Sequence, residues 1–151
     1  FEAFWDILNE TAQRQGFKIY TREYYQNILK EKGELKALII GGEMDTNLLS
    51  AAFVVFFGKT ATYLYAASRA GYGKFNAPSL VLWELIREAR FRNCEILDLW
   101  GISDENKKWS GLTAFKRGFG GRVMNFAGAW DLVWNKKLYF FYRLGKIIFN
   151  Q

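Results

Sequence analysis

Two adjacent cations, Lys116 and Arg117, stand between two aromatic rings in one short stretch, Gly111-Leu112-Thr113-Ala114-Phe115-Lys116-Arg117-Gly118-Phe119-Gly120-Gly121-Arg122. Neighbouring residues on a helix point about 100° apart, so Lys116 and Arg117 need not share a role. Cations beside aromatic faces suit phosphate and base contacts with a single-stranded RNA end. The same residues also suit a basic surface turn over a buried Phe119. The sequence holds no histidine, which removes imidazole bases, histidine metal ligands and the Ser-His-Asp and Cys-His arrangements. Chemistry must then run on Lys, Arg, Tyr, Asp, Glu, the backbone or the substrate. The acids Asp98, Asp104 and Glu105 have no metal-ligand spacing, and Asp98, closing an apolar strand, reads as an orienting or structural carboxylate. Cys94, in the apolar run Cys94-Glu95-Ile96-Leu97, reads as a buried core thiol. As the single cysteine, it excludes an internal disulfide.

A second constellation is Arg69-Ala70-Gly71-Tyr72-Gly73-Lys74. It falls between a strand and a helix N-terminus, where backbone N–H groups and the helix dipole favour anions. Arg69, Gly71, Gly73 and Lys74 are the candidate anion-loop residues; a plain flexible loop is the other reading. Lys74 is followed by Phe75, so this is not a P-loop.

These groups need a frame. Apolar residues at Phe4, Trp5, Ile7, Leu8 and Ala12 predict a helix over 2–15 that stops at Gly16. Thr21 to Lys32 predicts a second helix capped by Thr21, with Tyr24, Tyr25, Ile28 and Leu29 as its stripe. Strands follow at Leu35–Ile40, Leu48–Phe57 and Thr60–Ala67, an antiparallel meander whose middle member is apolar enough to be buried on both faces. Asn76 should cap a helix running to about Arg92, with Pro78 in its first turn. A strand Ile96–Trp100, a polar loop and a short helix Gly111–Phe119 come next. Val123–Phe126 and Trp130–Trp134 read as late strands. Lys136–Phe149 closes the chain as a basic amphipathic helix with Arg143 and Lys146 among Leu138, Phe140, Phe141, Ile147, Ile148 and Phe149. The order ααβββαβαββα makes an α/β (α+β) domain, a mixed, mainly antiparallel sheet flanked by helices.

The chain has 151 residues, a length that suits one domain. Its formal charge is +6 and its pI about 9.4, a balance that favours anionic partners such as nucleic acid, nucleotide-sugars or acidic headgroups. No apolar run reaches the roughly 20 residues of a membrane span. The start, Phe1-Glu2-Ala3-Phe4-Trp5-Asp6, has no basic signal region, so a cytoplasmic location is the expectation. The terminal helix could lie on a membrane surface or pack on protein. The chain opens inside a helix, which suggests a piece of a longer protein.

Several of these segments resemble one family. Ala77-Pro78-Ser79-Leu80-Val81-Leu82-Trp83-Glu84-Leu85-Ile86 looks like the helix of FemABX aminoacyltransferases that carries Trp-Glu and an aliphatic pair. Ile96-Leu97-Asp98-Leu99-Trp100-Gly101-Ile102 is similar to their Tyr-Asp-aromatic-Gly-Ile strand end, with Leu97 in place of the tyrosine. Phe115-Lys116-Arg117-Gly118-Phe119-Gly120-Gly121 resembles their Phe-Lys-x-x-Phe-Gly-Gly stretch, and Asp131-Leu132-Val133, Tyr139 and Tyr63–Ser68 fit as well. The likeness runs over about residues 5–145.

The resemblance implies a GNAT-like acyltransferase fold, the second of two such domains in tandem, with the N-terminal one missing here. It implies an aminoacyl-tRNA donor, no other cofactor, and an acceptor amine on the stem peptide of a UDP- or lipid-linked muramyl precursor. The work would be cross-bridge synthesis at the inner face of the bacterial membrane. Lys116 takes the catalytic place, and Phe115, Lys116 and Arg117 the tRNA end. Tyr65, then Tyr63, falls to muramyl-peptide binding, with Tyr24 and Arg22. The family often has an Arg four residues before that second-helix tyrosine; Tyr20 stands there. Two rivals remain at this point: an acyl-CoA N-acyltransferase, whose pyrophosphate loop has one more residue than Arg69-x-Gly71-x-Gly73, and a non-catalytic RNA- or membrane-binding module.

Overall fold

The computed structural model describes residues 1–128 and 130–149, residues 147–149 in backbone only. The chain divides into two compact units, Phe1–Arg117 and Gly118–Gln151, taken here one at a time.

The first unit contains α1 (Glu2–Gln15), α2 (Arg22–Lys30), β1 (Lys36–Met44), β2 (Asn47–Phe57), β3 (Thr60–Ser68), α3 (Ala77–Phe91), β4 (Ile96–Asp98) and α4 (Ser110–Arg117). The sheet order is β1-β2-β3-β4. The first three strands are antiparallel, and β4 joins β3 in parallel through α3. That crossover is the usual way to bring two parallel strands together.

Helices cover both faces of the sheet. Phe4, Ile7 and Leu8 of α1 and Tyr25 of α2 pack on Leu48, Ala51, Phe53 and Ala67. Tyr25 is the centre of an aromatic knot, edge-on to Phe4, Phe53 and Tyr65 at centroid distances of 6.1, 5.7 and 5.2 Å. Such pairs add about 0.5–1.5 kcal/mol each to the burial of their area. Val81, Leu82, Leu85 and Ala89 bury the inner side of α3 against the opposite face. Gly42 permits this approach, since a β-carbon there would lie 3.3 Å from Cγ2 of Val81. With helices on both sides, Leu48 to Val54 is buried without alternation, as its apolar run requires.

The second unit holds α5 (Lys136–Phe149). Asn135 caps it: its Oδ1 accepts from the N–H groups of Lys137 and Leu138 at 3.0 and 3.2 Å. Tyr139 donates to Oδ2 of Asp131 at 2.5 Å. The apolar positions read at Ile147, Ile148 and Phe149 lie outside the described side chains.

Several expectations need correction. Val123–Phe126 and the described residues of 130–134 form no strand; an apolar segment without a partner edge does not make a strand. Thr21 and Asn76 occupy N-cap positions but make no side-chain cap bond; Asn76 is left-handed, with φ 49°. The strand from Ile96 ends at Asp98, because Trp100 turns at φ 65°. Cys94 is only half-buried, at the rim of a 200 Å³ cavity between α3 and β4.

Candidate functional site

Helix α4 is latched to the loop that leaves β4 through three side chains on one face. Residues i, i+3 and i+4 are neighbours on a helix surface, and here they are Thr113, Lys116 and Arg117. The Thr113 hydroxyl donates to the Ser103 carbonyl at 3.0 Å and accepts from the Ser103 N–H at 3.2 Å. Lys116 Nζ donates to the Gly101 carbonyl at 2.7 Å. Arg117 forks onto both oxygens of Asp104 at 2.8 Å, which lowers the aspartate's pKa and raises that of the arginine.

Lys116 is the unusual member, because only 6% of it is exposed. Burial pushes its pKa below the ordinary lysine value, and the negative charge of Asp98 pulls in the other direction. Asp98 also builds the turn that presents Gly101. Its Oδ1 accepts from the Trp100 N–H at 2.7 Å, holding a tryptophan at positive φ, where a bulky residue is rarely found. The expectation that Asp98 orients rather than abstracts a proton agrees with this geometry. Phe115 is half-buried on the adjacent face of α4.

Next to this loop the sheet opens. Pairing of β3 with β4 ends at Thr62↔Asp98. One residue further on, β3 bulges against β2: Val54 faces Tyr63, Phe53 faces Tyr65, and Leu64 is the extra residue. Because cross-strand partners share a face, Tyr63 and Tyr65 point to opposite sides of the sheet, although they are two residues apart. The bulge, not the period of a strand, decides this. Tyr63 is buried on the α3 side, where desolvation pushes its pKa to about 12. It has no route to a ligand on the side of Tyr65.

Tyr65 joins a phenol cluster instead. Its hydroxyl lies 3.3 Å from that of Tyr24, and Tyr20 stacks on Tyr24 with centroids 4.3 Å apart. Burial and the hydrogen bond to Tyr24 raise the pKa of Tyr65. Beside the cluster lies a groove of 400 Å³ lined by Tyr24, Asn27, Ile28, Glu31, Leu35, Val55 and Leu64. Arg22 is not part of it; it pairs with Glu2 and lies over the Phe1 ring at 5.6 Å.

The glycine loop after β3 already holds an anion, and the anion belongs to the chain. Glu10 of α1 accepts from the Ala70 N–H at 2.9 Å and from Arg69 Nη1 at 3.3 Å. Arg69 Nε donates to the Leu48 carbonyl at 3.1 Å. Gly71 turns at φ 81° and Gly73 opens a single 3-10 turn, Gly73–Phe75. Lys74 sits over the Phe75 ring at 5.0 Å.

The structure therefore brings Tyr24 and Tyr65 together in one phenol cluster, with Tyr24 lining the groove beside it, and Lys116 and Arg117 at one loop; Tyr63 and Arg22 lie apart from the cluster. The sequence placed Tyr20 four residues before Tyr24 and Tyr25 in the stripe of α2, but it did not reveal the phenol cluster they join, the Thr113–Ser103 pair or the role of Glu10, which are set by packing.

The FemAB family model matches residues 30–146. The chain is 32% identical over 119 residues to the lipid II:glycine glycyltransferase of Staphylococcus epidermidis, covering 75% of this chain and 29% of that protein. It is 30% identical over 118 residues to the UDP-N-acetylmuramoylpentapeptide-lysine N(6)-alanyltransferase of Weissella viridescens, covering 78% and 34%. The chain thus spans about a third of the length of these curated relatives. Among solved structures it resembles FemX (TM-score 0.65, 18% identity, 79% of this chain and 47% of that one). It also resembles an aminoglycoside acetyltransferase from a soil metagenome (TM-score 0.65, 9% identity, 88% of each). Both share its acetyltransferase-type fold of a mixed sheet flanked by helices.

Proposed function

Because this chain belongs to the FemAB family, we propose that it forms part of an aminoacyltransferase that extends the stem peptide of a peptidoglycan precursor. The donor is an aminoacyl-tRNA and the acceptor an amine on a lipid- or UDP-linked muramyl peptide, with the work done at the inner face of the membrane. The observation that carries this reading is the burial of Lys116 at the open side of the sheet, its amine anchored on the Gly101 carbonyl.

An aminoacyl ester is already activated. What remains is to hold the acceptor amine near the ester carbonyl and to stabilise the oxyanion of the tetrahedral intermediate. One N–H of Lys116 is committed to Gly101 and two remain for the oxyanion or an adjacent phosphate. In a poorly solvated position that charge acts with little screening. The amine attacks the ester carbon, the bond to the ribose oxygen breaks, and the proton lost by the amine ends on that oxygen, so a histidine-free protein suffices. Tyr24 lines the groove assigned to the muramyl peptide, and Tyr65 meets Tyr24 through its hydroxyl. Glu10 supports this donor over acyl-CoA, since its carboxylate occupies the donors that a pyrophosphate would need.

The test pairs charged tRNA with a muramyl-pentapeptide acceptor and follows amide formation by the intact protein. Transfer lost in Lys116→Ala is the expected result; transfer unchanged in that variant removes the site assignment. Tight acetyl-CoA binding by the wild type would favour the acyl-CoA reading.

A further inference from the structure

Residues 118–151 carry five cations, Arg122, Lys136, Lys137, Arg143 and Lys146, against one acid, Asp131. That acid is engaged by Tyr139. Two of the cations, Lys136 and Lys137, stand in the first turn of α5, which has no acid. The positive end of the helix dipole disfavours cations there, so they do not serve the helix. Within this unit Asp131 forms no ion pair with Lys136, Lys137, Arg143 or Lys146, the four cations of α5.

The apolar side chains of the same unit are uncovered. Trp134 is 90% exposed, Trp130 85% and Phe126 83%, and Leu138, Phe140, Phe141 and Leu144 of α5 are exposed too. At 100° per residue, Phe140, Leu144, Phe141 and Leu138 fall on one side of α5. Lys136, Arg143 and Lys146 fall on the other with Tyr139, while Lys137 falls within the apolar side in angle, between Leu144 and Phe141, at the first turn, where its amine can extend outward. Contiguous apolar surface of this kind marks an interaction site.

We propose that α5, with the tryptophans that precede it, lies in the surface of an anionic lipid bilayer. The apolar side enters the acyl boundary, the tryptophans occupy the headgroup layer and the cations meet lipid phosphates. The aliphatic residues favour lipid over RNA, which would use the cations and rings but gain nothing from Leu138 and Leu144. No helix among the described residues is long and apolar enough to cross a membrane, so the contact is with one face. The inference does not depend on the role given to Lys116.

The test is co-sedimentation of the 151-residue chain with vesicles of phosphatidylcholine alone or mixed equally with phosphatidylglycerol. Binding should be at least about tenfold tighter to the mixed vesicles and should weaken in high salt. A Lys136→Glu/Arg143→Glu variant and a Phe140→Ser/Phe141→Ser variant, each checked by circular dichroism, should each lose at least about fivefold. Equal binding to both vesicle types, or variants that pellet like wild type, would overturn the proposal. So would pelleting without vesicles, which marks self-association, and so would a tRNA competitor that displaces the protein while the phenylalanine variant still binds normally.

Discussion

The ammonium of Lys116 rests 2.7 Å from the carbonyl oxygen of Gly101, fifteen residues away across the loop that follows β4. The contact joins the helix that carries the lysine to the turn built by Asp98. It also leaves a positive charge in a place that solvent scarcely reaches.

Removing that charge should separate stability from activity. Lys116→Met keeps the buried stem and is expected to fold within about 1 kcal/mol of wild type, since loss of one hydrogen bond is offset by relief of desolvation. Lys116→Ala should be less stable by about 1–3 kcal/mol, because the stem packing goes and Gly101 loses its donor. Both should lose transfer. Urea unfolding and the tRNA-dependent assay measure the two effects.

The same lysine gives a sign for pH. Its folded pKa lies below the reference value of 10.5, so between the two the unfolded chain holds more protons and stability rises with pH. Below that window the penalty is fully present. The stability difference between wild type and Lys116→Met should move in favour of wild type as pH climbs to about 10.5. A difference that stays flat would mean that the lysine is solvated.

Asp98→Asn keeps an oxygen for the Trp100 N–H while discarding the charge that supports the Lys116 ammonium. The lysine should titrate at still lower pH, seen by NMR of the side chain or in the pH profile of transfer, with little change in melting temperature. Asp98→Ala should lose the turn as well and melt earlier. Equal lysine titration in wild type and Asp98→Asn would remove Asp98 as a positioning residue.

At alkaline pH the buried phenols take over. Tyr63 is held neutral to about 12 by burial, and the pKa of Tyr65 is raised by burial and by Tyr24. Folded-state values above the unfolded one mean stability that is intact below pH about 10 and is lost as pH rises through 12. Absorbance of tyrosinate should therefore rise together with loss of circular dichroism. Tyr63→Phe should shift that transition upward.

Tyr25 is fully buried, and its hydroxyl makes no hydrogen bond of ordinary geometry among the described residues. Tyr25→Phe removes a desolvated polar group and keeps the edge-on ring contacts. The expected change is a gain of about 1 kcal/mol in urea unfolding. A loss of that size would reveal a partner for the hydroxyl.

The sequence carried the helices, the meander and the Phe-Lys stretch, because local periodicity and glycine stops determine them. It did not carry Gly101 as the lysine's anchor, since that depends on a tryptophan accepting positive φ, which its type does not announce. Nor did it reveal Glu10, sixty residues from the N–H it binds. Val123–Phe126 shows the reverse failure: it reads as a strand, with three apolar residues in four, but a strand needs an edge to join.

The bulge at Leu64 decides which way the rest of β3 faces. A strand with the same residues and no bulge would alternate strictly from Thr60 onward and send every later side chain to the other side. Tyr65 would leave Tyr24, Ser68 would leave the Thr11 hydroxyl that it meets through both backbone groups, and Arg69 would leave Glu10. One peptide unit thus ties the phenol groove to the loop beyond the strand, and this strand should accept replacements that leave the facing of its second half unchanged.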